Sequence, residues 1–329
     1  MNYIAVIGAG SWGTTLANLL AEKGFDISLW AYDKEVLDDI RRTNMNSLYL
    51  PGITLSHNIE VTSNIRDAVK KARYILNVVP SQFARSVFAE IDSCIRQDAV
   101  VVSASKGIEH GSLLTISYVL QEMIDRKVAV LSGPSFAEEV VKKLPTAVTV
   151  AAHDQGTALL VQDVFNTDYF RVYSSTDVLG VELGGALKNV MAIASGISDG
   201  LALGSSARAA LITRGLAEMT RLGVAMGADE KTFGGLSGIG DLTLTCTGAL
   251  SRNYTVGIKL GRGEKLNDIL AGMKMVAEGV ATSESAYALS RKFNVEMPIV
   301  EKIYRVINEN EKPADAVQEL MARSLKSEY

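Results

Sequence analysis

The sequence predicts an α/β protein, a doubly wound and mostly parallel sheet followed by an all-α C-terminal domain. Three observations predict it. Apolar runs rich in β-branched residues alternate with helical patterns through the first half of the chain. Strands that are apolar on both faces belong to parallel sheets covered by helices on both sides. From about Asp177 the alternation stops, and long helical stretches punctuated by Gly and Ala run to the end. The chain has 329 residues, more than one core usually serves, so two domains are expected. The expected division is residues 1–177 and 178–329.

The elements follow in order. YIAVI runs straight into glycines, and WGTTLANLLAEKG continues as a helix. DISLWAY is the second strand. A polar loop with Pro51 and Gly52 leads to the short helix IRDAVKKA. RYILNVVP is a third strand, stopped by Pro80, and FARSVFAEIDSCIR is a helix. DAVVVSAS is a strand ending at Lys106-Gly107, and LLTISYVLQEMI is a helix. KVAVLSGPS and TAVTVAA are further strands, and the region 145–180 holds either extra strands or a linking helix. VELGGALKNVMAIASGISDG, residues 181–200, then reads as a buried helix with hardly any polar face.

Bulk composition narrows the function. Hydrophobic residues make up 47% and charged residues 21%, an ordinary globular balance. A net charge of -4 gives no basic footprint for nucleic acid. Cys94 and Cys246 form no CxxC, so neither a disulfide nor a cysteine-rich zinc site is expected, and a reducing cytoplasm fits. The N-terminus enters a strand at once, so no signal peptide is expected. The apolar stretch 183–197 is too short and too glycine-punctuated for a membrane span. His57, His110 and His153 lack metal-ligand spacing; they are expected at the surface, and no metal is expected.

The opening VIGAGSWGTTLA carries Gly8, Gly10 and Gly13 at GxGxxG spacing, after a strand and at the start of a helix. That context marks a Rossmann-like dinucleotide site. Gly8 permits the tight turn, Gly10 lets the backbone approach a pyrophosphate at the helix N-terminus, and Gly13 allows close helix–strand packing. The cofactor is NAD(H) or NADP(H). Asp33 has the spacing of a ribose-binding acid; alternatively Lys34 faces a 2′-phosphate, or both belong to a solvated loop.

Eight segments together resemble bacterial NAD(P)-dependent glycerol-3-phosphate dehydrogenase: GAGSWGTTLA, NVVPSQF, SASKGIE, LSGPSFAEEV, ELGGALKNVMAIASGISDGL, ARAALITRGLAEM, LSGIGDLTLTCTGALSRN and VAEGVATSESAYAL. They span nearly the whole chain in the family's order. The resemblance implies reversible reduction of dihydroxyacetone phosphate to sn-glycerol 3-phosphate, supplying glycerophospholipid synthesis. It also implies a homodimer, and the lack of a long apolar run leads to the expectation of no membrane insertion. It brings Ser11, Trp12 and Tyr32 to the cofactor with the three glycines. Tyr32 departs from the family, where a basic residue often holds an NADP phosphate.

The chemistry requires a proton donor and a substrate clamp beside the hydride donor. Lys188 lies in the apolar helix, one turn after Gly184 and Gly185 on one face. Either it snorkels to water, or the helix holds an amine out of bulk solvent and the small neighbours leave room for ligands. The resemblance implies the second, with Lys188 as proton donor and acceptor. Lys106 stands at a strand's C-terminal end, where open α/β sheets bind ligands. By resemblance it contacts both cofactor and substrate and raises the positive potential around Lys188. Asp241 caps a helix, or orients Lys188 and by resemblance meets substrate, or does both, with Thr245 on the same helical face if the segment is helical. Ser251, Arg252 and Asn253 open a helix and suit a phosphate; the resemblance puts all three on substrate and Arg252 near the cofactor too. By resemblance alone Gly133 and Ser135 face substrate, while Ala137, Val276 and Glu278 contact cofactor.

Two other readings compete. A different dehydrogenase of this layout would act on a hydroxy acid or a nucleotide sugar, the latter needing a catalytic cysteine. Cys246 in TLTCTGAL looks packed for that role. A nucleotide-sensing regulator would be expected to lack Lys106, Lys188, Asp241 or Arg252, and all four are present.

Overall fold

The structure is a computed structural model and describes residues 3–273, 275–325 and 327–328. Among these, ten strands form: β1 Tyr3–Ile7, β2 Asp26–Trp30, β3 Met45–Asn46, β4 Leu50–Thr54, β5 Ile59–Thr62, β6 Tyr74–Asn77, β7 Val100–Ser103, β8 Lys127–Ser132, β9 Thr146–Ala152 and β10 Phe170–Ser175. The helices among them are α1 Ser11–Glu22, α2 Lys34–Thr43, α3 Ile65–Val69, α4 Ala84–Ala89, α5 Ile116–Met123, α6 Ala137–Val141, α7 Gln155–Phe165 and α8 Val178–Gly200. They continue with α9 Gly204–Ala225, α10 Glu230–Phe233, α11 Asp241–Thr247, α12 Arg252–Gly261, α13 Leu266–Ala271, α14 Glu278–Lys292, α15 Pro298–Asn308 and α16 Pro313–Met321. Two compact units result. One comprises Met1–Glu109 with Leu114–Glu182, the other His110–Leu113 with Leu183–Tyr329.

The first unit carries an eight-stranded sheet in the order β10-β9-β8-β7-β6-β1-β2-β5. All neighbours are parallel except β8 and β9. Its strands are buried on both faces: Ile4, Val6, Leu29, Leu76 and Val102 pack with α1 and α7 residues in one cluster, while Ala5, Ile7, Ile75 and Val101 pack with Phe88 and Leu120 in another. That is why the runs are continuously apolar. Strand order reverses between the parallel neighbours β1 and β6, the chain passing to β2 on one side of β1 and outward from β6 on the other, and such a switch point is where open α/β sheets bind ligands.

The region 145–180 contains both expected alternatives, β9 and β10 as strands with α7 between them. The stretch between β2 and α3, expected as a polar loop, holds helix α2 and three strands that its composition did not announce. β3 and β4 pair antiparallel as a separate hairpin, and β5 extends the main sheet. Their short, broken apolar pattern is typical of edge elements. The helix expected over FARSVFAEIDSCIR is shorter, with α4 flanked by the 3-10 turns Ser81–Phe83 and Asp92–Cys94.

Within the second unit, described residues after Leu183 form helices and turns without strands. Helix α8 has 23 residues. It is longer than the apolar stretch alone suggested and long and apolar enough to cross a membrane, yet 94% of its apolar stretch is buried inside the protein. Its glycines explain the packing. A Cβ on Gly196 would stand 2.1 Å from the Tyr254 carbonyl, and one on Gly200 2.4 Å from that of Ile258. From the other side, a Cβ on Gly257 would meet the Ile193 carbonyl at 2.1 Å. Paired glycines thus let α8 and α12 cross backbone to backbone. Gly184 likewise lies against the Ser237 carbonyl, where a Cβ would sit 2.3 Å away. The expectation that Gly184 leaves room for a ligand is therefore corrected: protein backbone fills that space.

Two buried carboxylates cap helices from a distance. Glu182 accepts from Thr115 Oγ1 at 2.6 Å, Ser117 N at 2.8 Å and Ser117 Oγ at 2.5 Å, at the start of α5. Burial pushes its carboxyl above the ordinary range, against these hydrogen bonds. Glu218 on α9 accepts from Ile299 N at 2.9 Å and Val300 N at 3.2 Å, at the start of α15. Burial pushes Glu218 up to about 7.

Candidate active site

In the first unit, β1 delivers the glycine loop to the switch point. Gly8 adopts φ +118°, a conformation other residues rarely take, and a Cβ there would meet the Val78 carbonyl oxygen at 2.9 Å. A Cβ on Gly13 would stand 1.9 Å from the Gly8 carbonyl. Gly10 differs: nothing lies within 4 Å of where its Cβ would be. It is the N-cap of α1, makes no side-chain cap bond, and the first turn carries no acid. The first-turn amides and the positive end of the helix dipole are therefore suited to an anion. Ser11 opens the helix; beside it Trp12 packs its ring against Phe170, with Nε1 buried and lacking a hydrogen-bond partner among the described residues.

Tyr32 follows β2 and is 89% exposed, its ring edge-on to Trp30. Asp33 is the N-cap of α2, accepting from Glu35 N at 2.8 Å. Lys106, beyond β7, donates to the Gly133 carbonyl at 3.0 Å. Ser135 Oγ donates to the same carbonyl, also at 3.0 Å. Gly133 has φ +141°, and a Cβ would press on Val148 Cα at 2.9 Å. The structure thus brings Lys106, Gly133 and Ser135 together. Ala137 starts α6 and accepts from Thr15 Oγ1 at 3.3 Å, linking that helix to α1.

In the second unit, Lys188 is 7% exposed and does not snorkel. Its Nζ donates to Asp241 Oδ1 at 2.5 Å and to Thr245 Oγ1 at 2.8 Å. Asp241 is fully buried at the first position of α11, where Gly240 is the N-cap. The capping alternative for Asp241 is thereby removed. Thr245 sits one turn on and donates to the Asp241 carbonyl at 2.6 Å, so both face Lys188. Met191, Ala192 and Ser195 of α8 are buried as well, which leaves the pair in a dry setting.

Ser251 caps α12, accepting from Tyr254 N at 3.2 Å. Arg252 follows at the first helical position, exposed to solvent. Crowding by neighbouring protein atoms lowers its guanidinium pKa, and Glu278 pulls the other way. No acid sits in the first turn of α12. Asn253 is buried and cross-links: Nδ2 donates to Asn189 Oδ1 at 2.9 Å, and Oδ1 accepts from Gly279 N at 2.9 Å. Glu278 is the first residue of α14, and Val276 lies half exposed just before it. Asn189 and Glu182 went unassigned in the sequence, although each is a polar residue in an apolar helix. That was the available signal.

Burial pushes the Cys246 thiol up to about 12, and both cysteines are free. His57, His110 and His153 are all exposed, His110 pairing with Glu284 at 3.6 Å.

A glycine loop at the switch point of a parallel sheet, in one chain with a helical unit that keeps a lysine dry beside a carboxylate, defines a dinucleotide-dependent oxidoreductase. Residues 3–158 match the family described as NAD-dependent glycerol-3-phosphate dehydrogenase N-terminus, and residues 177–318 its C-terminus. The chain is 56% identical over 329 residues to glycerol-3-phosphate dehydrogenase [NAD(P)+] of Citrifermentans bemidjiense, covering 99% of this chain and 98% of that one. The Geobacter sulfurreducens protein of that name matches with the same identity and coverage. The crystal structure of glycerol-3-phosphate dehydrogenase from Coxiella burnetii superposes with a TM-score of 0.95 at 39% identity, covering 98% of this chain and 99% of that one. The chain belongs to the NAD-dependent glycerol-3-phosphate dehydrogenase family.

Proposed function

We propose that this protein reversibly reduces dihydroxyacetone phosphate to sn-glycerol 3-phosphate, using NADH or NADPH. The observation that carries the reading is the buried Lys188–Asp241 pair, 2.5 Å apart on α8 and α11.

The residues fit a dinucleotide. Gly10 leaves a space that a side chain would fill, and the unacidic first turn of α1 suits a pyrophosphate. When bound, the reduced nicotinamide supplies the hydride for the substrate carbonyl carbon. The protein handles the proton. Lys188 Nζ donates one to the carbonyl oxygen during reduction and accepts it back in the reverse direction. Asp241 and Thr245 fix the direction of the amine. Arg252, with the Ser251 cap and Asn253, holds the phosphate. A cation at a helix N-terminus is opposed by the helix dipole, and a bound dianion relieves that conflict.

Lys106 touches both substrate and cofactor, with Gly133 and Ser135 on the substrate side. Ser11, Trp12, Gly13, Tyr32, Ala137, Val276 and Glu278 serve the cofactor, Glu278 by accepting from its carboxamide. In this reading residues 1–177 bind the dinucleotide, and 178–329 bind substrate and carry the proton. The protein is a cytoplasmic homodimer that supplies glycerophospholipid synthesis. A sugar-oxidising alternative would need a reactive thiol, which the buried Cys246 disfavours.

The test is loss of nicotinamide absorbance with NADH and with NADPH. Oxidation is expected only when dihydroxyacetone phosphate is present. Oxidation with a hydroxy-acid precursor instead, or none with either nucleotide, overturns the reading.

A further inference from the structure

We propose that Asn46, on the β3–β4 hairpin, is a positioning residue that sets the glycine loop for a pyrophosphate. The inference rests on the dinucleotide reading above. Asn46 is fully buried. Its Nδ2 donates to the Ala9 carbonyl at 2.9 Å and to Thr14 Oγ1 at 2.8 Å. Thr14 Oγ1 in turn donates to the same Ala9 carbonyl at 3.3 Å. The Asn46 Oδ1 accepts from Tyr49 N at 3.2 Å, which anchors the side chain in its own hairpin. The amide therefore uses both donors and its acceptor, and its direction is fixed.

The consequence follows from peptide geometry. In a planar trans peptide the carbonyl and the next N–H point in opposite directions. Pinning the Ala9 carbonyl toward Asn46 aims the Gly10 N–H away from the hairpin. Gly10 is the glycine of this loop with open space where its Cβ would be, and it is the N-cap of α1, whose start has no side-chain cap. A hairpin packed behind the loop thus holds an amide donor toward the open side before any ligand arrives, and preorganisation of this kind lowers the cost of binding.

The experiment measures dissociation constants for NADH by fluorescence, with ADP-ribose and adenosine as competitors, alongside melting temperature and steady-state kinetics. Asn46→Asp keeps the shape but faces the Ala9 carbonyl with an oxygen; Thr14→Val removes the second donor. Both are expected to weaken NADH and ADP-ribose, Asn46→Asp by about tenfold or more, as for loss of a hydrogen bond to a charged group. Adenosine, which lacks the pyrophosphate, should be unchanged. The KM for dihydroxyacetone phosphate and kcat at saturating NADH should also hold. Wild-type affinity for NADH in both variants overturns the proposal, as does equal weakening of adenosine. Failure of the wild-type protein to bind either dinucleotide would instead overturn the cofactor reading itself.

Discussion

Lys188 Nζ lies 2.5 Å from Asp241 Oδ1, in surroundings where the lysine is 7% exposed and the aspartate not at all. Taking two charges out of water costs several kcal/mol per ion, and a buried pair is weak evidence of stabilisation by itself. Removing one partner, however, strands the other. The pair therefore serves chemistry and fold by separable routes, which substitution can tell apart.

Lys188→Ala should lower kcat by about 10²–10⁴-fold, the range of general acid–base catalysis, while NADH affinity persists. It should also lower stability by about 3–5 kcal/mol, because the buried Asp241 carboxylate loses the cation that balances it. The double variant Lys188→Met with Asp241→Leu should recover much of the stability and none of the activity. Denaturant titration beside kinetics checks both; near-normal turnover in Lys188→Ala refutes the proton role.

Arg252→Ala should raise the KM for dihydroxyacetone phosphate by about tenfold or more, the scale of a charge-assisted hydrogen bond. Arg252→Lys should fall between, since lysine lacks the planar fork. Added inorganic phosphate should compete with substrate in the wild type and much less in Arg252→Ala. An unchanged KM in the alanine variant would count against the clamp.

Gly10→Ala and Gly13→Ala should part company. Alanine at 10 meets nothing within 4 Å and keeps an allowed φ of -72°. The melting temperature should hold while dinucleotide affinity drops, because the methyl occupies the anion's approach. Alanine at 13 would drive into the Gly8 carbonyl, costing roughly 1–3 kcal/mol or more from overpacking. Thermal melts with and without NADH distinguish the two.

Stability should fall as pH rises through the range set by Glu218. Burial pushes its folded pKa from 4.5 up to about 7. Between those values the folded state holds a proton that the unfolded chain has lost, so the slope of stability against pH is negative. The contribution is full below about 4.5, is lost as pH approaches about 7 and is flat above; its size is roughly 3 kcal/mol. Glu218→Gln keeps an acceptor for Ile299 N and should flatten this part of the profile. A slope between pH 5 and 7 identical to the wild type would exclude Glu218 as its source.

Much of the fold was legible because its signals are local. β1, β2, β6, β7, β8 and β9 announce themselves as apolar runs bounded by polar or turn residues, and GAGSWG announces its turn by glycine spacing. Lys188 was conspicuous as a charge in an apolar helix. The hairpin of β3 and β4 was not legible, since its pairing depends on what lies behind it. Asn46 therefore looked like loop polarity, and only packing revealed that it holds Ala9 and Thr14.

The sequence by itself determined the main alternation of apolar strands and helices, the glycine turn and the placing of a lysine on a buried helix, all consequences of local period and side-chain size. Tertiary structure decided which partners those residues meet. It paired Lys188 with Asp241, 53 residues away; it turned Gly196 and Gly200 into helix-crossing contacts; and it moved Asp241 from cap to ion-pair partner. The reason is that hydrogen bonds and van der Waals contacts act over a few ångströms in space, and no local pattern in the chain records which distant residues folding will bring within that reach.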